Sequence, residues 1–191
     1  AAQQATPTAA VAAGNPQASI KTAKGLLTVE LFEDVARNTV ANFITLAGNG
    51  FYAKDDKGTG KQKFFYLMKD GAGKRILIQA GSPSNDGQGG PGYYIGDEPN
   101  AKKHAKGALA MVLQLQSETQ PAYVPNSAGS QFFICLTDIP SYDYDKKFTV
   151  FGQVTGGLEV LDKLEEGDVI ESVEITKKKE RPYTVNKIPA P

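Results

Sequence analysis

From Ser19 onward, short apolar runs of four to seven residues recur between polar, glycine-bearing breaks. The segment ASIKTAKGLLTVELF alternates apolar and polar positions around Lys24-Gly25, the pattern of a hairpin with one face buried. After Glu33-Asp34 the period changes: Val40, Phe43, Ile44 and Ala47 fall at i, i+3, i+4 and i+7, which makes one apolar stripe on a helix, with Gly48 and Gly50 as stops. Residues 63–81, KFFYLMKDGAGKRILIQAG, are two apolar runs joined by a polar turn and predict a second hairpin. Strand-like runs follow at ALAMVL, QFFICL and FTVFGQV. A short helix is predicted over GGLEVLDKLEEG, with Leu158, Leu161 and Leu164 on one side, and VIESVEIT closes the pattern as an alternating strand. Many strands and two helices, with no strand–helix alternation, predict an all-β barrel or sandwich.

Chain length narrows this to one domain, because 191 residues would cramp two. The first nineteen residues are low-complexity Ala, Gln, Thr and Pro, and are expected to be a flexible leader over 1–18. An Ala-rich start without methionine is also what signal-peptide removal leaves, so an exported protein is expected. Residues 19–176 form the expected domain and 177–191 a basic tail, whose KKKER run is expected to be solvated.

Charge and chemistry exclude more than they select. Twenty-one bases balance 21 acids, which argues against a nucleic-acid partner. No apolar run reaches the roughly 18 residues of a membrane span. The single cysteine, Cys135, sits in FFICL and is expected to be a buried, inert thiol. The single histidine, His104, sits in PNAKKHAKG and is expected to be solvated. No metal-site spacing, Walker lysine pattern or G-x-S-x-G motif is present, so no cofactor or metal is implied and no nucleophile is evident.

The order of motifs is more informative. VARNTVANFITLA, GQGGPGYY at 87–94, DE at 97–98, KGALAMV at 106–112, NSAGSQFFI at 126–134 and FTVFGQV at 148–154 together resemble the cyclophilin-type peptidyl-prolyl isomerases. The resemblance implies a closed eight-stranded antiparallel β-barrel capped by two α-helices, with a groove on its outer face that binds Pro-containing polypeptide segments. It implies that Gln79 binds the substrate carbonyl, that Gln131 lies in the groove, and that Phe133 floors the proline pocket. By position, Ile76 and Leu77 take the places of a pocket phenylalanine and methionine, Tyr144 that of a leucine, and Phe148 that of a histidine. Val112 and Leu113 replace an alanine-asparagine pair whose backbone binds the peptide. The family's catalytic arginine, in an F-x-R element, has no counterpart: Leu67 or, with a one-residue slip, Tyr66 occupies its place. Arg75, two residues before Leu77 and four before Gln79 on an extended strand, is the candidate replacement cation. The insertion LQSETQPAYVP reshapes one wall and offers Tyr123, and the long loops at 52–63 and 114–125 are candidate surfaces for a protein partner. The implied activity is isomerisation of X–Pro bonds at a reduced rate, and the alternative is a non-catalytic proline-peptide binder or scaffold.

Overall fold

The computed structural model describes residues 14–58, 60–117, 122–140 and 142–190. The first hairpin is β1 (Gln17–Thr22) and β2 (Gly25–Leu31), with Thr22 paired to Gly25 across the turn. Its alternation is reflected in burial: Ala18, Ile20, Leu27, Val29 and Leu31 have no exposed surface. The strand begins at Gln17, and Asn15 Nδ2 already donates to Glu30 (2.9 Å), so the leader ends earlier than position 18. Residues 1–13 lie outside the described residues.

The apolar stripe becomes α1 (Arg37–Gly48), which buries Val40, Phe43, Ile44 and Ala47. Phe43 packs its ring 5.2 Å from Tyr52, 5.8 Å from Phe132 and 5.4 Å from Phe151, so the helix covers the sheet with an aromatic plug. Strands β3 (Tyr66–Lys69), β4 (Arg75–Ala80), β6 (Ala108–Met111), β7 (Phe132–Cys135), β8 (Val150–Gly156) and β9 (Ile170–Lys177) complete one curled antiparallel sheet in the order β3-β4-β7-β6-β8-β2-β1-β9. The ladder does not run from β9 back to β3. Instead, a bridge between Lys63 and Val169, flanked by Phe64 N–H to Asp168 (2.9 Å), links the segments leading into the two edge strands.

Two helices depart from the expected pattern. Residues 142–147 form a helix, α2 (Tyr142–Lys147), which carries too few apolar residues for a periodic signal. The helix expected at 156–167 is a single turn, α3 (Leu158–Leu161); Leu161 and Leu164 are buried but Leu158 is 43% exposed. The one-sided leucine stripe therefore fails at its first member.

The basic tail is not free. A second, two-stranded sheet pairs β10 (Ile188–Pro189) with β5 (Tyr93–Tyr94), and the Asn186 backbone N–H donates to Asn38 Oδ1 (2.8 Å). Lys179 (3.0 Å) and Arg181, both from the KKKER run, pair with Glu33, whose side chain is 3% exposed. A buried carboxylate needs counter-charge, and the tail supplies it. The tail's path over the domain depends on that distant acid, which a local reading of a charge run cannot detect.

Candidate active site

The β3–β4 hairpin builds one side of a groove. Its register pairs Tyr66 with Gln79, Leu67 with Ile78 and Met68 with Leu77. Since side chains alternate between faces, Tyr66, Met68, Leu77 and Gln79 share one face while Leu67 and Ile78 share the other. On the opposite flank of β4, Gln79 pairs with Phe133 and brings the floor of the groove beside it. Gly81, just past β4, has φ +88°, and a Cβ there would lie 2.2 Å from the Ser130 carbonyl oxygen. Only glycine allows that approach. It lets Ser130 Oγ donate to the Gly81 carbonyl (2.7 Å) and sets Gln131 next to the end of β4.

The groove has a volume of about 560 Å³ and takes in Leu77, Gln79, Val112, Gln131, Phe133, Tyr144 and Phe148, seven of the ten residues selected from the sequence. The aromatic members form a box: Phe133 lies 5.6 Å edge-on from Phe148 and 6.3 Å from Tyr144, and Tyr144 lies 5.1 Å from Phe148. Gln131 Nε2 donates to the carbonyls of Gly87 (2.8 Å) and Gly89 (3.1 Å). Its donor group is thus committed to the glycine-rich loop, and what it can offer a peptide is its carbonyl oxygen.

Three selected residues lie elsewhere. Leu113 is 5% exposed and belongs to the core. Ile76 is half-buried against the core, on the opposite face from Leu77. Arg75 is displaced by a register shift: Met68 pairs with Leu77 but Lys69 pairs with Arg75, so the strand carries an extra residue and the alternation that would align Arg75 with Gln79 is broken. Its guanidinium donates to the carbonyls of Asp162 and Leu164 and lies 3.9 Å from Glu165. Arg75 pins the end of β4 to the 162–165 segment and does not line the groove.

The register also decides between the two candidates for the arginine position. Tyr66 lines the groove opposite Gln79, 45% exposed, whereas Leu67 turns toward the core. Among the described residues the groove lining carries no Lys, Arg, His, Asp or Glu. The insertion adds a further wall. Leu115 bridges to Tyr123, and the Tyr123 ring sits edge-on at 4.8 Å from Phe148. Residues 118–121 of the insertion lie outside the described residues.

His104 corrects the sequence reading most sharply. It is 1% exposed, not solvated, with its ring stacked 5.8 Å from Phe133 and edge-on to Tyr144 at 5.7 Å. Its Nδ1 bonds Asp145 Oδ1 at 2.8 Å, and Lys103 Nζ donates to the other oxygen (2.8 Å). Desolvation pushes the Asp145 carboxyl up, but the hydrogen bonds from His104 and Lys103 outweigh it and hold the acid at about 2. This clamp ties α2, which carries Tyr144, to the back of Phe133. A single polar-flanked histidine gives no sequence signal for such a role. Cys135 is buried as expected, and burial together with the charges of Asp138 and Asp145 pushes its thiol up to about 12.

Residues 17–188 match the family model for cyclophilin type peptidyl-prolyl cis-trans isomerase/CLD. A peptidyl-prolyl cis-trans isomerase of Helicobacter pylori is 39% identical over 160 residues, spanning 82% of this chain and 84% of that protein. One from Synechococcus elongatus is 37% identical over 161 residues, with 83% and 95% covered. A crystal structure of a Cryptosporidium parvum cyclophilin type isomerase, determined in the presence of the dipeptide Ala-Pro, superposes with a TM-score of 0.67 at 27% identity, covering 85% of this chain and 99% of that one. The sequence motifs, the curled eight-stranded sheet and the match over nearly the whole described length agree, and the chain belongs to the cyclophilin-type peptidyl-prolyl cis-trans isomerase family.

Proposed function

We propose that the peptidyl-prolyl isomerisation this chain shares with its family takes place in the Gln79–Gln131–Phe133 groove, on extended X–Pro segments, at a rate lowered by the absence of a cation. The observation that supports this is convergence: β4 and the 131–133 segment, some fifty residues apart in sequence, bring two amides and an aromatic floor to one groove whose described lining carries no charged side chain. We also take the sheet to be a barrel closed through the Lys63–Val169 bridge.

Rotation about an X–Pro bond faces an amide-resonance barrier of roughly 18–20 kcal/mol and makes or breaks no covalent bond. The groove therefore needs no nucleophile. Phe133, walled by Tyr144 and Phe148, holds the proline ring. Gln79 holds the carbonyl that precedes it, and Gln131 accepts from a peptide N–H. A donor that favours the pyramidal, resonance-free proline nitrogen lowers the barrier by binding the transition state better than the ground state. Tyr66, opposite Gln79, is placed to supply this donor as a neutral hydroxyl. A neutral hydrogen bond contributes about 0.5–1.5 kcal/mol and one to a charged group about 1.5–3, so the exchange costs on the order of tenfold in rate.

The test is a protease-coupled X–Pro assay on the wild type, Gln79→Ala and Arg75→Ala. Turnover falling at least tenfold with Gln79→Ala and surviving Arg75→Ala supports the reading. Turnover lost with Arg75→Ala in a folded protein overturns the assignment of the groove. A wild type that binds Pro peptides without turning them over overturns catalysis and leaves a binding module, the reading favoured by the groove's lack of a cation.

A further inference from the structure

The insertion that distinguishes the groove wall is not accounted for by the proline pocket alone. Of its described residues, Leu115 is 52%, Tyr123 40% and Val124 38% exposed, and the two flanks are held together by Gln116 N–H to Ala122 (2.8 Å) and Val124 N–H to Gln114 (2.9 Å). Leu115 and Tyr123 line the groove itself, so this apolar surface is continuous with the proline pocket through the Tyr123–Phe148 contact. Gln79 and Tyr66 border Phe133 from the β4 side, whereas β6, which leads into the insertion, pairs with the other flank of β7. Both sides line the one groove, so an X–Pro segment seated with its proline over Phe133 and its carbonyl at Gln79 has Leu115 and Tyr123 beside it.

That wall has a definite chemistry. No charged side chain stands among the described lining, so a charged residue laid against Leu115 and Tyr123 gains no counter-ion from that lining. An aromatic or aliphatic residue buries apolar surface against two side chains that are otherwise left in water. We propose, on the basis of the isomerase reading above, that the Leu115–Tyr123 wall is a specificity element selecting X–Pro segments flanked by an aromatic or aliphatic residue, the kind of segment exposed by an unfolded polypeptide and hidden in a folded one.

The experiment uses the full chain and a peptide set in which Phe, Leu, Ala, Glu or Lys occupies each position flanking one X–Pro pair. Isomerisation is read by NMR exchange, which needs no coupling protease with preferences of its own. Affinity is read in parallel by anisotropy of labelled copies. At one flanking position, Phe and Leu are expected to exceed Glu and Lys by about tenfold or more. In Leu115→Ser/Tyr123→Ser that ratio falls to near one. Leu26→Ser, which removes an equally exposed leucine outside the groove, leaves it unchanged. A ratio that survives the double substitution, or a charged residue that matches Phe and Leu at every flanking position, overturns the proposal. A wild type without turnover sinks the isomerase reading alone, because the anisotropy ratios then decide the wall's preference by themselves.

Discussion

Restoring the cation at position 66 is the sharpest test of how the groove works. Residues directly opposed in an antiparallel pair hold their Cβ atoms about 4.5–5.5 Å apart, so Tyr66→Arg would place a guanidinium stem beside Gln79. The substitution removes a neutral donor and adds a charged, multidentate one. The difference between the two kinds of hydrogen bond is about 1–1.5 kcal/mol. Tyr66 is 45% exposed, so screening by solvent argues for the lower end of that range, a five- to tenfold gain in kcat/KM at about 1.4 kcal/mol per decade. Uncatalysed isomerisation takes tens of seconds, which leaves a wide window for a protease-coupled assay at low temperature. Leu67→Arg is the matched control. It faces Ile78 and packs against the core, so it is expected to lower thermal stability and add nothing to turnover. Equal gains from both substitutions, or no gain from Tyr66→Arg in a folded protein, would refute the assignment of the donor position to residue 66.

Other consequences are measurable without a substrate. Lys179→Ala/Arg181→Ala strips Glu33 of both partners; a buried carboxylate left alone costs about 3 kcal/mol or more, so Tm is expected to drop by roughly 6–12 °C, and a drop under 1 °C would show that the tail is not docked. Folding holds Asp145 below the ordinary carboxylate range, so its contribution is fully present above about pH 4 and is lost as pH falls through about 2; Asp145→Asn is expected to flatten acid unfolding in that window, and an unchanged acid limb counts against the clamp. With its thiol pushed up to about 12, Cys135 is expected to resist alkylation at pH 8 in the native protein and to react fully in denaturant, which mass spectrometry reads directly.

Local periodicity alone encodes part of this fold. The alternation of 17–31 and the stripe of Val40, Phe43, Ile44 and Ala47 depend on side-chain spacing within one element, and the structure has them where the spacing puts them. The order of the AGSQFF, VFG and glycine motifs likewise identified the family, and seven of the residues chosen by that resemblance line one groove. The rest was settled by contacts between distant segments. One extra residue in the β3–β4 ladder turns Arg75 away to the 162–165 carbonyls, and the same register chooses Tyr66 over Leu67. Asp145, 41 positions from His104, draws a histidine with polar neighbours into the core behind Phe133. Glu33 recruits the KKKER run from nearly 150 residues away. In each case a charged or polar group takes a position set by a partner far along the chain. Apolar spacing is written locally, whereas the pairing of charges is settled only when the sheet brings those partners together.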